Sequence, residues 1–198
     1  MGATPYNSGV TFRVWAPFAS DVQVQGDFNN WKPGTHLFSE GNGYWSADLI
    51  GAVVGQQYNF LITNAASEAV LTRVDPYSRA FKTRGGPSLI APRDTQHSDT
   101  SYITPAWNEM VIYELHIGTF VLDKNLPRPG GTFDSAATKL DYLKDLGINA
   151  IEIMAAGEFE SDTSWGYNPA YIFAIEEQYG VRTGSVLSCR KHTSVESP

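Results

Sequence analysis

Three runs decide the reading of this chain: VIYELHI over Val111–Ile117, DSAATKLDYLKDL over Asp134–Leu146 and INAIEIM over Ile148–Met154. The first and third are short apolar runs of strand length. The middle run places Ala136, Leu140 and Leu143 on one helical face, with Leu146 completing the stripe. Thr132 or Asp134 is available as N-cap, and Gly147 for the left-handed residue that ends a helix. Ile148, Ala150, Ile151, Ile153 and Met154 are apolar, the pattern of a buried parallel strand. Strand, helix, strand makes one crossover unit, which is right-handed by rule.

Working back toward the N-terminus, the period changes to two. Val10, Phe12 and Val14, then Val22 and Val24, then Tyr58, Phe60 and Ile62 alternate with polar residues, and Tyr44, Ser46 and Asp48 oppose Trp45, Ala47 and Leu49. Such alternation predicts strands with one buried face. Breaks at Ala16-Pro17, Gly26-Asp27-Phe28-Asn29-Asn30, Gly41-Asn42-Gly43 and Gly51 to Gly55 have the spacing of a small antiparallel sandwich. The expected fold is therefore multidomain, an immunoglobulin-like β-sandwich over residues 1–74 followed by an α/β part. Pro76, Gly85-Gly86-Pro87, Pro92 and Pro105 mark residues 75–109 as an extended connection, ordered against both parts. Residues 181–198 show no period and no capped helix, and are expected to be an irregular tail.

The words VIYELHIGTF, GGTFDSAATKLDYLKDLGINAIEIM and SWGYNPAYIFAIEEQYG resemble, in order and spacing, the start of the catalytic domain of the α-amylase superfamily. The relatives meant are those with an N-terminal β-sandwich: glucan branching enzymes, trehalose-releasing hydrolases and debranching enzymes. The resemblance implies that residues 110–180 open a (β/α)8 barrel and that the partner is an α-glucan such as starch, glycogen or a maltooligosaccharide. It also implies that 181–198 is foreign to the family, an out-of-frame tail or an artificial stop. A barrel of this kind takes about 250 residues. The 88 residues from Val111 to Pro198 are too few, so the barrel is expected to be incomplete, with edges open to self-association.

In that family a nucleophilic carboxylate, a proton-donating carboxylic acid and a third, stabilising aspartate sit on the fourth, fifth and seventh barrel strands. No residue here matches their motifs, so no catalytic residue is assigned. Glu152, Glu158, Glu160 and Asp162 follow or lie on the second strand, but loop carboxylates more often solvate or cap than form an acid/base pair. The chain is thus expected to derive from an enzyme that hydrolyses or transfers α-glucosidic bonds with retention, and to be inactive alone. The alternatives are a non-catalytic starch- or glycogen-binding protein and half of a barrel assembled with another chain.

The candidate sugar-binding residues are Tyr167, Asn168 and Trp165 in the loop SWGYNP, and Trp31 and Lys32 after the turn GDFNN. By the resemblance, Tyr167 is a stacking platform: an aromatic face covers the C–H face of a pyranose while its hydroxyl stays free to hydrogen-bond. Trp31, with Asn30 and Lys32 beside it, has the place of a glucan-contacting tryptophan in related modules. Trp15 is expected in the core, buried between the parts, and Trp45 is expected to pack. His116 and Glu114 lie on one side of the first strand and read as structural polar residues, since no third ligand accompanies them. Ser161 and Ser164 lack the partners of a nucleophile.

Bulk composition agrees with a neutral polymer as partner. A net charge of −7 and the absence of clustered Lys and Arg disfavour nucleic acid. No run reaches the ~18 apolar residues of a membrane span, and no basic-then-apolar leader opens the sequence. The lone Cys189 forms no internal disulfide, which points to a cytoplasmic protein. No cofactor and no metal are implied, and calcium is left unassigned.

Overall fold

A computed structural model describes residues 1–32, 34–83, 85–93, 103–124, 130–161 and 164–180. The expected tail at 181–198, Cys189 and Asp162 lie outside the described residues. The chain divides into two compact units, residues 1–94 with 171–174, and residues 95–170 with 175–198.

In the first unit, period-two alternation becomes two antiparallel sheets. One has the order β1 (Gly2–Tyr6), β2 (Gly9–Trp15), β6 (Tyr44–Ile50), β5 (Phe38–Gly41). The other runs β4 (Thr35–His36), β3 (Ala19–Gly26), β7 (Gln57–Asn64), β8 (Val70–Arg73), with β9 (Ser88–Leu89) also on β7. Val10, Phe12 and Val14 from one sheet meet Val22, Val24, Tyr58 and Phe60 from the other in a single buried cluster. Fully burying each large apolar side chain here contributes about 1.5–3 kcal/mol. Phe12 and Tyr58 add an edge-to-face contact at 4.9 Å between ring centroids. This is an immunoglobulin-like β-sandwich.

One buried polar group closes the sandwich. Asp75 is fully enclosed; its Oδ2 accepts from the Tyr58 hydroxyl at 2.5 Å and its Oδ1 from the Tyr77 N–H at 2.8 Å, while its own N–H donates to Ser88 Oγ at 2.9 Å. Within the stretch read from sequence as connection, Ser88 lies in β9 on the sandwich and holds Asp75.

In the second unit, β10 (Ile112–Leu115) pairs in parallel with β13 (Ala150–Ile153), register Ile112 to Ala150 and Leu115 to Ile153. Between them lie α1 (Ile117–Phe120), β11 (Leu122–Asp123), β12 (Gly130–Gly131), α2 (Phe133–Ala137) and α3 (Leu140–Asp145); β14 (Gly157–Phe159) follows, and then β15 (Pro169–Ile175), of which 171–174 count with the first unit. Leu115, Ile117, Phe133, Ala136, Leu143, Phe159 and Tyr179 form its core.

Three expectations are corrected here. The helix foreseen over 134–146 is broken at Thr138-Lys139. The Thr138 and Lys139 N–H groups bond three residues back, to Ser135 and Ala136, and the Thr138 hydroxyl also donates to the Ser135 carbonyl at 2.6 Å. A β-branched hydroxyl that bonds its own helix backbone competes with the regular ladder. The break shifts the apolar stripe, so Ala136 and Leu143 are buried while Leu146 is 61% exposed. The first strand also ends early, since His116 is already the residue that opens α1. Finally, β13 is not a buried strand: Ile153 is 46% exposed because, among the described residues, β10 is the one strand that flanks it.

Candidate functional site

Each unit carries one candidate place. On the sandwich, β3 runs into a 3-10 turn over Asp27–Asn29. Asn29 Oδ1 accepts from the Gly26 N–H at 2.8 Å and its amide donates to the Val24 carbonyl at 3.2 Å, which pins the turn to its own strand. Asn30 and Trp31 then follow with φ of 54° and 60°. Left-handed backbone is tolerable for asparagine and costly for a bulky tryptophan. Two contacts hold Trp31 there: its N–H donates to the Gly26 carbonyl at 2.9 Å, and its indole Nε1–H to Asp27 Oδ1 at 2.8 Å. The other Asp27 oxygen accepts from the Gln57 N–H on β7 at 2.8 Å. The ring is thereby fixed but 37% exposed, and Lys32 beside it is exposed.

Amides stand among the outward residues of the same sheet. Gln25 faces Asn59 across β3 and β7, and both are half-buried. Asn59 Oδ1 is enclosed and accepts no hydrogen bond among the described residues. Sequence reading passed over this group, although its signal was present: Gln23, Gln25 and Asn59 alternate with Val22, Val24, Tyr58 and Phe60, which puts them on the outer face.

Of the other sandwich tryptophans, Trp45 packs on the core as expected, its indole donating to the Ala16 carbonyl at 3.1 Å. Trp15 is a correction. It is 55% exposed, because it ends β2 on the outward face opposite Tyr44, and its indole donates to the Asn42 carbonyl at 3.2 Å.

In the second unit, the loop after β13 and β14 presents Trp165 and Tyr167, 64% and 68% exposed. Its frame is internal. Ser164 Oγ donates to Asn168 Oδ1 at 2.6 Å and accepts from the Gly166 N–H at 3.1 Å. Gly166 is buried with φ of +84°, and a Cβ there would lie 1.9 Å from the Ala155 carbonyl oxygen, so only glycine fits. Asn168 therefore spends its carbonyl oxygen on the loop, while Trp165 and Tyr167 face outward.

The carboxylates nearby are structural in their contacts. Glu158 and Glu176 are buried; Glu158 Oε2 accepts from the Glu177 N–H at 2.9 Å, and Glu176 accepts from the N–H groups of Phe159 and Gln178. Glu152 and Glu160 are exposed. Glu114, exposed, stands in register with Glu152 on the neighbouring strand. Among the described residues no group of three or more His, Cys, Asp or Glu side chains is arranged to hold a metal ion. His116 is half-buried. Its Nε2 lies 2.8 Å from the Tyr179 hydroxyl and 3.3 Å from the Ser164 carbonyl, and its Nδ1 3.1 Å from Thr119 Oγ1. Burial, with the Glu176 charge second, pushes the Tyr179 hydroxyl up to about 12.

Residues 1–78 match the family described as carbohydrate-binding module 48, the isoamylase N-terminal domain. The chain is 32% identical over 182 residues to a malto-oligosyltrehalose trehalohydrolase of Saccharolobus solfataricus, covering 89% of this chain and 29% of that protein. It is 34% identical over 182 residues to a 1,4-alpha-glucan branching enzyme of Picrophilus torridus, covering 87% of this chain and 24% of that protein. Among solved structures, a putative alpha amylase from Salmonella typhimurium superposes with a TM-score of 0.73 at 29% identity, covering 98% of this chain and 32% of that one. The chain spans about a quarter to a third of the length of these relatives, and the resemblance to the α-amylase superfamily holds over both units. No helix among the described residues is long and apolar enough to cross a membrane.

Proposed function

We propose that the sandwich holds an α-glucan chain against Trp31 and Lys32, and that the second unit opens a (β/α)8 catalytic barrel whose loop offers Tyr167, with Trp165 and Asn168, to a sugar ring. In this reading residues 1–74 are the binding module, 75–109 the connection and 110–180 the barrel opening. The parent enzyme hydrolyses or transfers α-glucosidic bonds with retention, in the cytoplasm. No residue of the chain matches the three catalytic carboxylates, which favours binding without cutting. Trp31 carries the reading: a bulky residue is kept in a costly left-handed conformation, its indole tied by Asp27, with part of its ring left in solvent. Backbone strain of about 1–3 kcal/mol persists where the surroundings impose it and clusters at functional sites. A neutral polymer also suits the amides Gln23, Gln25 and Asn59 on that face.

Retention of the purified chain on insoluble starch tests this. The wild type is retained, and Trp31→Ala lowers affinity by about tenfold, the loss of one stacked ring with its orientation. Soluble starch incubated with the same protein yields no reducing sugar. Equal retention of Trp31→Ala and wild type would remove the sandwich from the reading.

A further inference from the structure

We propose that His116 is the positioning residue for the Trp165–Tyr167 loop, acting as a hydrogen-bond donor from Nε2 to the Ser164 carbonyl. The inference rests on the reading of Tyr167 as a sugar platform, and concerns what sets that platform's geometry.

The loop's own bonds, among Ser164, Gly166 and Asn168, make it a compact turn but do not by themselves orient it against the strands. His116 supplies a contact from outside. It stands at the carboxyl end of β10, and the loop follows the carboxyl end of β13, the side of a parallel sheet on which ligands bind. Its Nε2 approaches Ser164 O at 3.3 Å, one residue before Trp165, and its ring lies 5.4 Å from the Trp165 ring. A carbonyl oxygen only accepts, so the bond to Ser164 requires the proton on Nε2, with the Tyr179 hydroxyl oxygen at 2.8 Å as a second acceptor and Nδ1 accepting from the Thr119 hydroxyl. The opposite tautomer also pairs both ring nitrogens, Nε2 accepting from the Tyr179 hydroxyl and Nδ1 donating to Thr119 Oγ1, but it gives the Ser164 carbonyl no donor from His116.

The imidazole is itself held on two sides. Tyr179 meets it edge to face, 5.6 Å between centroids at 89°, with its hydroxyl oxygen 2.8 Å from Nε2. Gly118 leaves room for both rings, since a Cβ there would come within 2.9 Å of Tyr179 Cε1 and 3.0 Å of His116 Cε1. A side chain held by Thr119, Tyr179 and the missing Cβ of Gly118 transmits a fixed position to Ser164, and the two exposed aromatic rings follow in the next three residues.

Two measurements decide the matter. In the wild-type chain labelled with nitrogen-15, two-bond proton–nitrogen spectra at neutral pH are expected to show a proton on His116 Nε2; a proton on Nδ1 alone would overturn the proposal, because Nε2 then has nothing to donate. Amide exchange across 165–168 is expected to quicken about tenfold in His116→Phe, which keeps a ring but no donor, and to stay within about twofold of wild type in His116→Gln, whose amide reaches the Nε2 position. Unchanged exchange in a folded His116→Phe also overturns it, and if that variant does not fold, the nitrogen spectra decide. Maltoheptaose titration of Tyr167→Ala separates the two readings: no loss of affinity there removes the platform, while the exchange and tautomer results still stand or fall on their own.

Discussion

Tyr58 and Asp75 show how one residue pair sets the terms for a sandwich. Burial pushes the Asp75 carboxyl above the ordinary carboxylate range, against hydrogen bonds from Tyr58 and the Tyr77 N–H that pull it down. Burial, and then the Asp75 charge, raise the Tyr58 hydroxyl well above its usual value. Tyr58→Phe takes away the donor and leaves Asp75 Oδ2 enclosed without it, so chemical denaturation at neutral pH is expected to show a loss of about 1–3 kcal/mol. A carboxyl whose folded pKa is raised gives stability that is full below its unfolded pKa and lost as pH rises through the folded one. Losing the tyrosine raises that pKa further, so the deficit of Tyr58→Phe shrinks as pH is lowered. Glu40 behaves oppositely. Hydrogen bonds from the Arg13 guanidinium, including Nη2 to Oε2 at 2.6 Å, hold it down at about 2. Its contribution is present above the unfolded carboxyl range and lost as pH falls toward about 2; Glu40→Gln is expected to flatten that part of an acid unfolding profile.

At the scale of elements, the short helix α2 depends on its start. Thr132 is the N-cap, its hydroxyl accepting from the Ser135 N–H at 3.0 Å while Ser135 Oγ accepts from the Thr132 N–H at 2.9 Å. Thr132→Ala removes half of this reciprocal cap, and thermal unfolding is expected to show a loss of about 1 kcal/mol. A cap was legible in GGTFDS because a Thr or Asp ahead of an apolar stripe is a local signal, while the choice of Thr132 over Asp134 came from the structure. The break at Thr138-Lys139 was not: the same threonine chemistry that favours a cap becomes a competitor for the helix backbone one turn later, and the choice depends on what the second half packs against. Strand order in the sandwich was likewise invisible, since period two gives the buried face of a strand but not its neighbours.

For the molecule as a whole, the two units rest on different kinds of support. The sandwich closes its core between two sheets, whereas β10 and β13 form a two-stranded sheet with Ile112, Tyr113 and Ile153 at least a third exposed. Unpaired strand edges and exposed apolar faces favour association. Light scattering of the purified chain is therefore expected to show species larger than the monomer that grow with concentration; a monomer throughout would count against the open edges. What the sequence settled alone was whatever repeats locally: the period-two faces, a cap ahead of the apolar stripe, the left-handed Gly147, and the words that resemble the α-amylase superfamily. Only the tertiary structure decided that Trp15 stays in solvent, that Asp75 reaches across to Tyr58, and that His116, Ser164 and Tyr179 meet although 63 residues separate the first from the last. Local patterns follow from backbone geometry a few residues long, while contacts of that reach exist only once the chain has closed on itself.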